Sequence, residues 1–292
     1  MLIYVSNRFI SEKKAAVSVY DRGFLYGDAV FETLRIYNGQ IFRLQDHIRR
    51  LIHSAQKLNI PLTFSEARLN KLLVLAVTRN GLKEALLRIS LTRGIGQIGT
   101  ELARKSKPTL IISPRKFKGR PISDYRLGVK ISIVSWRRTP SQALDASVKS
   151  ANYLNNIMAR IEASQQGAAE GLMLTLNGFL AEGAVSNIFF VKNNRLYTPD
   201  IRLGILPGIT RGLTLRLARS LKIRVSEGRF RPADLLRSDE CFLTNTSMEI
   251  MPVVKVDGRR IGRGIPGPLT QKLHFLLKGM IRMECQTITH RP

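Results

Sequence analysis

The chain has 292 residues, with 47 Lys+Arg against 21 Asp+Glu, a formal charge of +26 and a pI near 10.9. Hydrophobic positions make up 44% of it, which excludes a disordered chain and, at this length, allows roughly 75% of the unfolded surface to be buried. No apolar run reaches the ~18–20 residues of a membrane span, the start MLIYVSNRF does not read as a signal peptide, and Cys241 and Cys285 cannot build a disulfide framework or a four-ligand metal site.

In chain order, β-type runs fall at 2–5, 30–37, 85–92, 109–113, 129–134, 171–176, 187–191, 240–244 and 252–256. Asn38-Gly39, Asn177-Gly178, Asn193-Asn194 and Asp257-Gly258 punctuate them between apolar runs, a hairpin signal that predicts largely antiparallel or mixed sheets. Leu44, Ile48, Leu51, Ala55 and Leu58 form the stripe of an amphipathic helix. Ser65 can cap a second helix reaching about Arg79, with Gly81 past its end. Further helices are expected from about Asn152 to Gln166, from Pro207-Gly208-Ile209-Thr210 to about Leu221, and after Pro268. The Pro- and Gly-containing stretch 119–127 reads as a linker. It separates a smaller N-terminal α/β domain, 1–118, from a larger C-terminal one, 128–292.

The charge is uneven: residues 104–138 hold eleven Lys/Arg and one acid, and residues 202–231 hold eight and one. This leaves open a basic protein that binds polyanions without catalysis. No zinc-finger, RNA-recognition or basic-zipper signature accompanies it, so no specific nucleic-acid partner is expected. The four histidines lack metal-ligand spacing, and no metal is expected.

Few residues suggest chemistry by themselves. A helix opening at Pro207-Gly208-Ile209-Thr210 offers free backbone N–H groups and a hydroxyl to an anion, although on this segment alone simple capping is the more ordinary explanation. Lys149 stands where an irregular stretch meets a helix; if buried, it could form a Schiff base. Glu182 lies in an apolar run, where a buried carboxylate needs a cationic partner.

Taken together, six ordered motifs resemble the fold-type IV (class IV) pyridoxal-phosphate enzymes: branched-chain aminotransferases, D-amino-acid aminotransferases and aminodeoxychorismate lyases. They are Asp21-Arg22-Gly23-Phe24-Leu25-Tyr26-Gly27-Asp28 through Glu32, His47-Ile48-Arg49-Arg50-Leu51, Lys149 through Asn156, Glu182-Gly183-Ala184-Val185-Ser186-Asn187, Leu206 through Arg211, and Thr244-Asn245-Thr246-Ser247-Met248-Glu249. The resemblance implies a two-domain mixed α/β fold that binds pyridoxal 5'-phosphate. It implies that Lys149 is the Schiff-base lysine and proton carrier, and that Glu182 faces the pyridine nitrogen. Arg50, Gly208, Ile209, Thr210 and Thr246 would hold the phosphate, Leu206 would pack on the ring, and Tyr153 would meet the ring hydroxyl. Tyr26, Phe31, Arg35 and Ser247 are its implied substrate contacts. By the same analogy the site lies between the domains of a homodimer or higher oligomer in the cytoplasm.

Within the family, the loop Gln97-Ile98-Gly99-Thr100 lacks the Arg-x-His pair common in D-amino-acid aminotransferases. Tyr26, Phe31, Arg35 and the glycine pattern 94–99 are shared with branched-chain enzymes, whereas Asn245 and Ser247 replace the Gly and Ala that some of them carry. The resulting expectation is a transaminase moving an amino group from a branched-chain-type L-amino acid to a 2-oxo acid such as 2-oxoglutarate. The alternatives are an aminodeoxychorismate lyase releasing pyruvate and 4-aminobenzoate, and a D-amino-acid or amine transaminase.

Overall fold

A computed structural model describes residues 1–96 and 107–286. The chain divides into two units, Met1–Lys118 with Val148–Tyr153 and Ile281–Pro292, and Gly119–Ser147 with Leu154–Met280.

The first unit contains β1 (Leu2–Val5), β2 (Arg8–Ser11), α1 (Arg22–Tyr26), β3 (Ala29–Tyr37), β4 (Gln40–Ile41), α2 (Leu44–Lys57), α3 (Glu66–Arg79), β5 (Ala85–Thr92) and β6 (Thr109–Lys116). Among the described residues its six strands form one antiparallel sheet in the order β2-β1-β6-β5-β3-β4. Alternation along β3 decides its two faces. Val30, Leu34 and Ile36 enter a core with Ile48, Leu51 and Ala55 of α2 and Leu69, Leu73 and Ala76 of α3. Phe31, Thr33 and Arg35 occupy the opposite face. The stripe read on α2 is thus its buried face, and Ser65 caps α3 by accepting from Arg68 N at 3.2 Å.

The second unit contains α4 (Ile122–Leu127), β7 (Val129–Arg137), α5 (Leu154–Gln165), β8 (Glu170–Leu174), β9 (Leu180–Gly183), β10 (Asn187–Lys192), β11 (Arg195–Pro199), α6 (Ile209–Ser220), β12 (Val225–Gly228), α7 (Pro232–Leu236), β13 (Glu240–Asn245), β14 (Glu249–Val256) and β15 (Arg259–Arg260), and α8 (Pro268–Glu284) follows. Its nine strands run β12-β11-β10-β13-β14-β7-β8-β9, with β15 beside β14. The sheet is mixed: β7 pairs in parallel with β8 and β14, and β11 with β12. One core gathers Ile188, Phe190, Cys241, Leu243, Met251 and Val253, while Phe189 and Phe242 stack on the other face with centroids 5.0 Å apart. The stretch 119–127, read as a linker, contains α4, and the short segment Val148–Tyr153 belongs to the first unit.

Candidate functional site

Each unit carries its own group of candidate residues. In the first, Val148–Tyr153 runs beside the start of β3. Phe31 N donates to Lys149 O at 3.0 Å, Ala151 N to Ala29 O at 2.8 Å, and Lys149 N to Ser54 Oγ at 3.2 Å. This backbone seam places Lys149 Nζ 4.5 Å from the centre of the Phe31 ring and 5.8 Å from that of Tyr153. The two rings meet edge to face at 5.3 Å, so the amine is walled by rigid aromatic surface.

On the core side of β3, Glu32 is wholly buried and takes both Nε and one Nη of Arg50, at 2.6 and 2.9 Å, together with His47 Nδ1 at 2.8 Å. Burial alone would raise its pKa. The Arg50 and His47 contacts prevail and hold the carboxyl far below the usual carboxylate range. Burial draws His47 down, against Glu32, so the imidazole is less readily charged than usual. Arg50 is therefore clamped by a fork-to-fork pair that fixes its plane.

Tyr26 ends α1, where Asp21 caps Gly23 N at 2.8 Å and Gly27 stops the helix at φ +67°, a left-handed turn suited to glycine. Tyr26 is half exposed, with the Arg22 guanidinium 5.0 Å from its ring. Arg22 and Arg93 share Asp28, and Arg93 also donates to Leu58 O and Asn59 O, which ties the α1 loop to the end of α2.

Arg35 does not join this group. It lies four residues beyond Phe31, about 13 Å along the strand. Its guanidinium is buried between Tyr37 and Phe117 and spends its donors on Glu84, Ala85 O and Phe117 O. The pattern read as a substrate contact is that of a sheet-anchoring ion pair. Arg88, which sequence reasoning overlooked, lies beside Phe31 instead. Paired opposite Thr33 on β5, it sets its guanidinium carbon 3.9 Å from the Phe31 ring centre, exposed to solvent. Partial burial lowers its pKa from the ordinary arginine value, with Tyr153 opposing. The available signal was a single charged residue in the otherwise uncharged strand ALLRISLT. The loop Gln97-Ile98-Gly99-Thr100 lies outside the described residues.

In the second unit, Glu182 is buried on β9. Its Oε1 lies 2.8 Å from Arg138 Nε, an ion pair rather than an aligned hydrogen bond, and its Oε2 accepts from Leu206 N at 3.0 Å and Asn187 Nδ2 at 3.3 Å. Asn187 also donates to Leu206 O at 3.0 Å, so one amide side chain joins the Glu182 strand to the segment leading into α6. The cationic partner demanded by a buried Glu182 is Arg138.

Helix α6 starts after Gly208 with no side-chain cap, leaving the first-turn amides of Ile209 and Thr210 without a protein acceptor among the described residues. A Cβ on Gly208 would stand 2.1 Å from Asn187 Oδ1, so the backbone approaches there as only glycine permits. Thr244 pairs with Asn187 across β13 and β10, and its buried hydroxyl has no partner among the described residues. Uncapped amides, a glycine cradle and an unsatisfied hydroxyl on one side of the sheet fit an anionic group.

Next to them, the 245–249 turn carries Thr246 and Ser247. Asn245 Oδ1 accepts from Ser247 N at 2.9 Å, Ser247 Oγ at 3.2 Å and Met248 N at 2.6 Å, and Asn245 Nδ2 donates to Val185 O at 3.1 Å. Glu249, at φ +57°, secures the far side of the turn on His274 and Lys278, while Tyr125 stacks on His274 and donates to Met248 O.

With this geometry in place, the comparisons with known proteins are specific. Residues 29–256 match the family described as Amino-transferase class IV. A Methanocaldococcus jannaschii protein provisionally named branched-chain-amino-acid aminotransferase is 40% identical over 273 residues, covering 94% of each chain. The aminodeoxychorismate lyase of Bacillus subtilis is 35% identical over 283 residues, covering 96% of this chain and 95% of its own. A solved T.th. branched-chain amino acid aminotransferase with pyridoxamine 5'-phosphate superimposes at a TM-score of 0.93 with 29% identity, over 97% of this chain and 94% of that one.

Proposed function

The chain belongs to the class IV aminotransferases, and from that premise we propose that it is a pyridoxal-phosphate-dependent transaminase of the branched-chain type, passing an amino group from an amino acid to a 2-oxo acid. The observation that carries this reading is Lys149, whose amine is held against Phe31 and Tyr153 by a backbone seam to β3.

Bound pyridoxal phosphate supplies the electron sink that lets the substrate Cα lose its proton. The chain supplies the rest. Lys149 Nζ takes that proton and returns it, which general acid–base catalysis rewards by about 10²–10⁴-fold. Glu182, charge-balanced by Arg138, holds a proton on the cofactor's ring nitrogen. Arg50, locked by Glu32, and the α6 amides of Ile209 and Thr210 fit the phosphate, joined by Thr246. Tyr153 suits the ring hydroxyl and Leu206 the ring face. Tyr26, Phe31, Arg88 and Ser247 are assigned to the substrate, with Arg88 the cation open to a carboxylate.

The second reading is the lyase, supported by the 35% identity to the Bacillus subtilis aminodeoxychorismate lyase over 96% of this chain. Asn245 occupies the Ser247 and Met248 amides, so a substrate carboxylate would have to be met elsewhere than on this turn. One preparation assayed with L-leucine plus 2-oxoglutarate and with aminodeoxychorismate decides: keto-acid formation in the first supports transamination, and pyruvate in the second alone overturns it. Lys149→Ala is expected to lower the rate by at least about 10²-fold, the low end of that range. A protein that cannot be loaded with pyridoxal phosphate would sink the cofactor assignment.

We further propose a homodimer as the active unit. Val19, Tyr20 and Phe24 of the first unit are 62%, 52% and 71% exposed, an apolar strip that a second copy would cover. Sedimentation of the holoenzyme tests it, and a monomer that remains active refutes it. Among the described residues no helix is long and apolar enough to cross a membrane, and both thiols are free and buried; we place the protein in the cytoplasm.

A further inference from the structure

The Lys149–Asn156 motif ends on two asparagines, Asn155 and Asn156, in the first turn of α5. Asparagine is a poor helix former because its side chain competes for nearby backbone groups, so two in succession point to work for the amides. Consecutive helical residues project about 100° apart, and these two reach different segments of the second unit. Asn155 grips the backbone on either side of Arg138. Its Nδ2 donates to Arg137 O at 2.9 Å, and its Oδ1 accepts from Thr139 N at 3.3 Å. One amide thus offers residues 137 and 139 the donor and acceptor that a neighbouring strand would. Strand β7 ends at Arg137 after a register shift against β8, and just beyond it Arg138 N donates to Leu174 O at 2.8 Å. Arg138 is therefore set by its backbone on both sides.

Asn156 is buried and donates from Nδ2 to Ala184 O at 2.7 Å. Ala184 N donates to Gly171 O at 2.9 Å and Gly183 N to Ser186 O at 2.7 Å, so the turn that follows Glu182 is held from several directions. Gly183 is required there: a Cβ would stand 2.2 Å from Ser186 Oγ, which donates to the buried Glu170 at 3.0 Å. The two gripped segments carry the two halves of one ion pair, Arg138 Nε and Glu182 Oε1 at 2.8 Å. That contact is not an aligned hydrogen bond, so its strength is set by distance, and distance is set by the backbone at 138 and at 182–184. A buried carboxylate that loses its cation takes up a proton more readily.

We propose that Asn155 and Asn156 are positioning residues that hold Arg138 against Glu182, and so keep Glu182 charged toward the cofactor's ring nitrogen. The inference rests on Glu182 serving that nitrogen. Among the described residues neither asparagine side chain bonds the start of α6, where the phosphate is assigned, so their effect belongs to the ring-nitrogen end of the cofactor.

The test titrates the full-length chain with two forms of the cofactor: pyridoxal 5'-phosphate, and its 1-deaza analogue, in which carbon replaces the ring nitrogen and holds no proton for Glu182 to meet. Both keep the aldehyde and the phosphate. The ratio of their dissociation constants is a readout independent of turnover. The wild-type chain should prefer pyridoxal phosphate by roughly ten- to a hundredfold, the worth of a hydrogen bond to a charged group. Asn155→Ala and Asn156→Ala should each cut that preference by roughly three- to tenfold, while the Kd of the analogue stays within about threefold. Asn80→Ala also takes an amide from backbone partners, Leu2 N at 2.7 Å and Leu2 O at 3.0 Å, but in the first unit; it should lower the melting temperature and leave the ratio unchanged. Parallel loss of affinity for both cofactor forms makes the asparagines structural only and overturns the proposal, as does an unchanged ratio in folded variants. A wild-type ratio near one overturns it at its premise, the placement of Glu182, and is thereby told apart from a failure of the clamp. Asn155 is only part-buried, so Asn155→Ala decides alone should Asn156→Ala not fold.

Discussion

Replacing Glu32 by Gln removes the buried carboxylate on which Arg50 and His47 converge. The wild-type side chain is fully buried and receives the Arg50 fork at 2.6 and 2.9 Å and the imidazole at 2.8 Å. Breaking one side of such a pair strands a guanidinium in the interior, which costs about 3–5 kcal/mol. At about 2–4 °C per kcal/mol, the melting temperature should fall by roughly 6–20 °C. Because the folded-state pKa of Glu32 is depressed, its stabilisation is complete above its ordinary value of 4.5 and is lost as pH falls through the lower folded value. Wild type and variant should therefore differ most near neutrality and converge in acid. Urea unfolding of the apoenzyme from neutral pH to below pH 4.5 measures this, alongside pyridoxal phosphate affinity, which should drop as Arg50 loses its fixed plane. A neutral-pH difference under about 1 kcal/mol, or one that grows in acid, would refute the clamp.

Three further substitutions separate roles that look alike in the sequence. Gly208→Ala drives a methyl to 2.1 Å from Asn187 Oδ1; the strain, about 1–3 kcal/mol, should weaken cofactor affinity by roughly ten- to a hundredfold, and unchanged binding by fluorescence titration would refute the cradle. Arg35→Leu should lower stability by about 1–3 kcal/mol through Glu84 and two orphaned carbonyls, while the KM for 2-oxoglutarate stays within about twofold; a large rise in KM would return Arg35 to the substrate side. Arg88→Met should instead raise that KM by roughly ten- to a hundredfold, the worth of a charge-assisted hydrogen bond, with a small effect on the melting temperature; an unchanged KM refutes its role as a carboxylate receiver.

What could be read along the chain was local. The α2 stripe, the Ser65 cap, the hairpin pairs and the main strands follow from periodicity and turn chemistry, which neighbouring residues decide among themselves. The ordered motifs carried the family, because Lys149, Arg50, Glu182 and the Gly208-Ile209-Thr210 helix start each keep their place in a short signature. The partners of those residues were not legible. Arg138 meets Glu182 from 44 positions away in sequence, Glu32 meets Arg50 across a strand and a helix, and Arg88 reaches Phe31 through sheet register. Arg35 and Arg88 differ in no local property; only the pairing of β3 with β5 buries one against Glu84 and leaves the other open beside Phe31 and Tyr153. The net charge of +26 had the same limit. Composition gives its size, but strand pairing alone sets Lys130, Lys255 and Arg260 in one row, because cross-strand neighbours are chosen by hydrogen-bond register and not by distance along the chain.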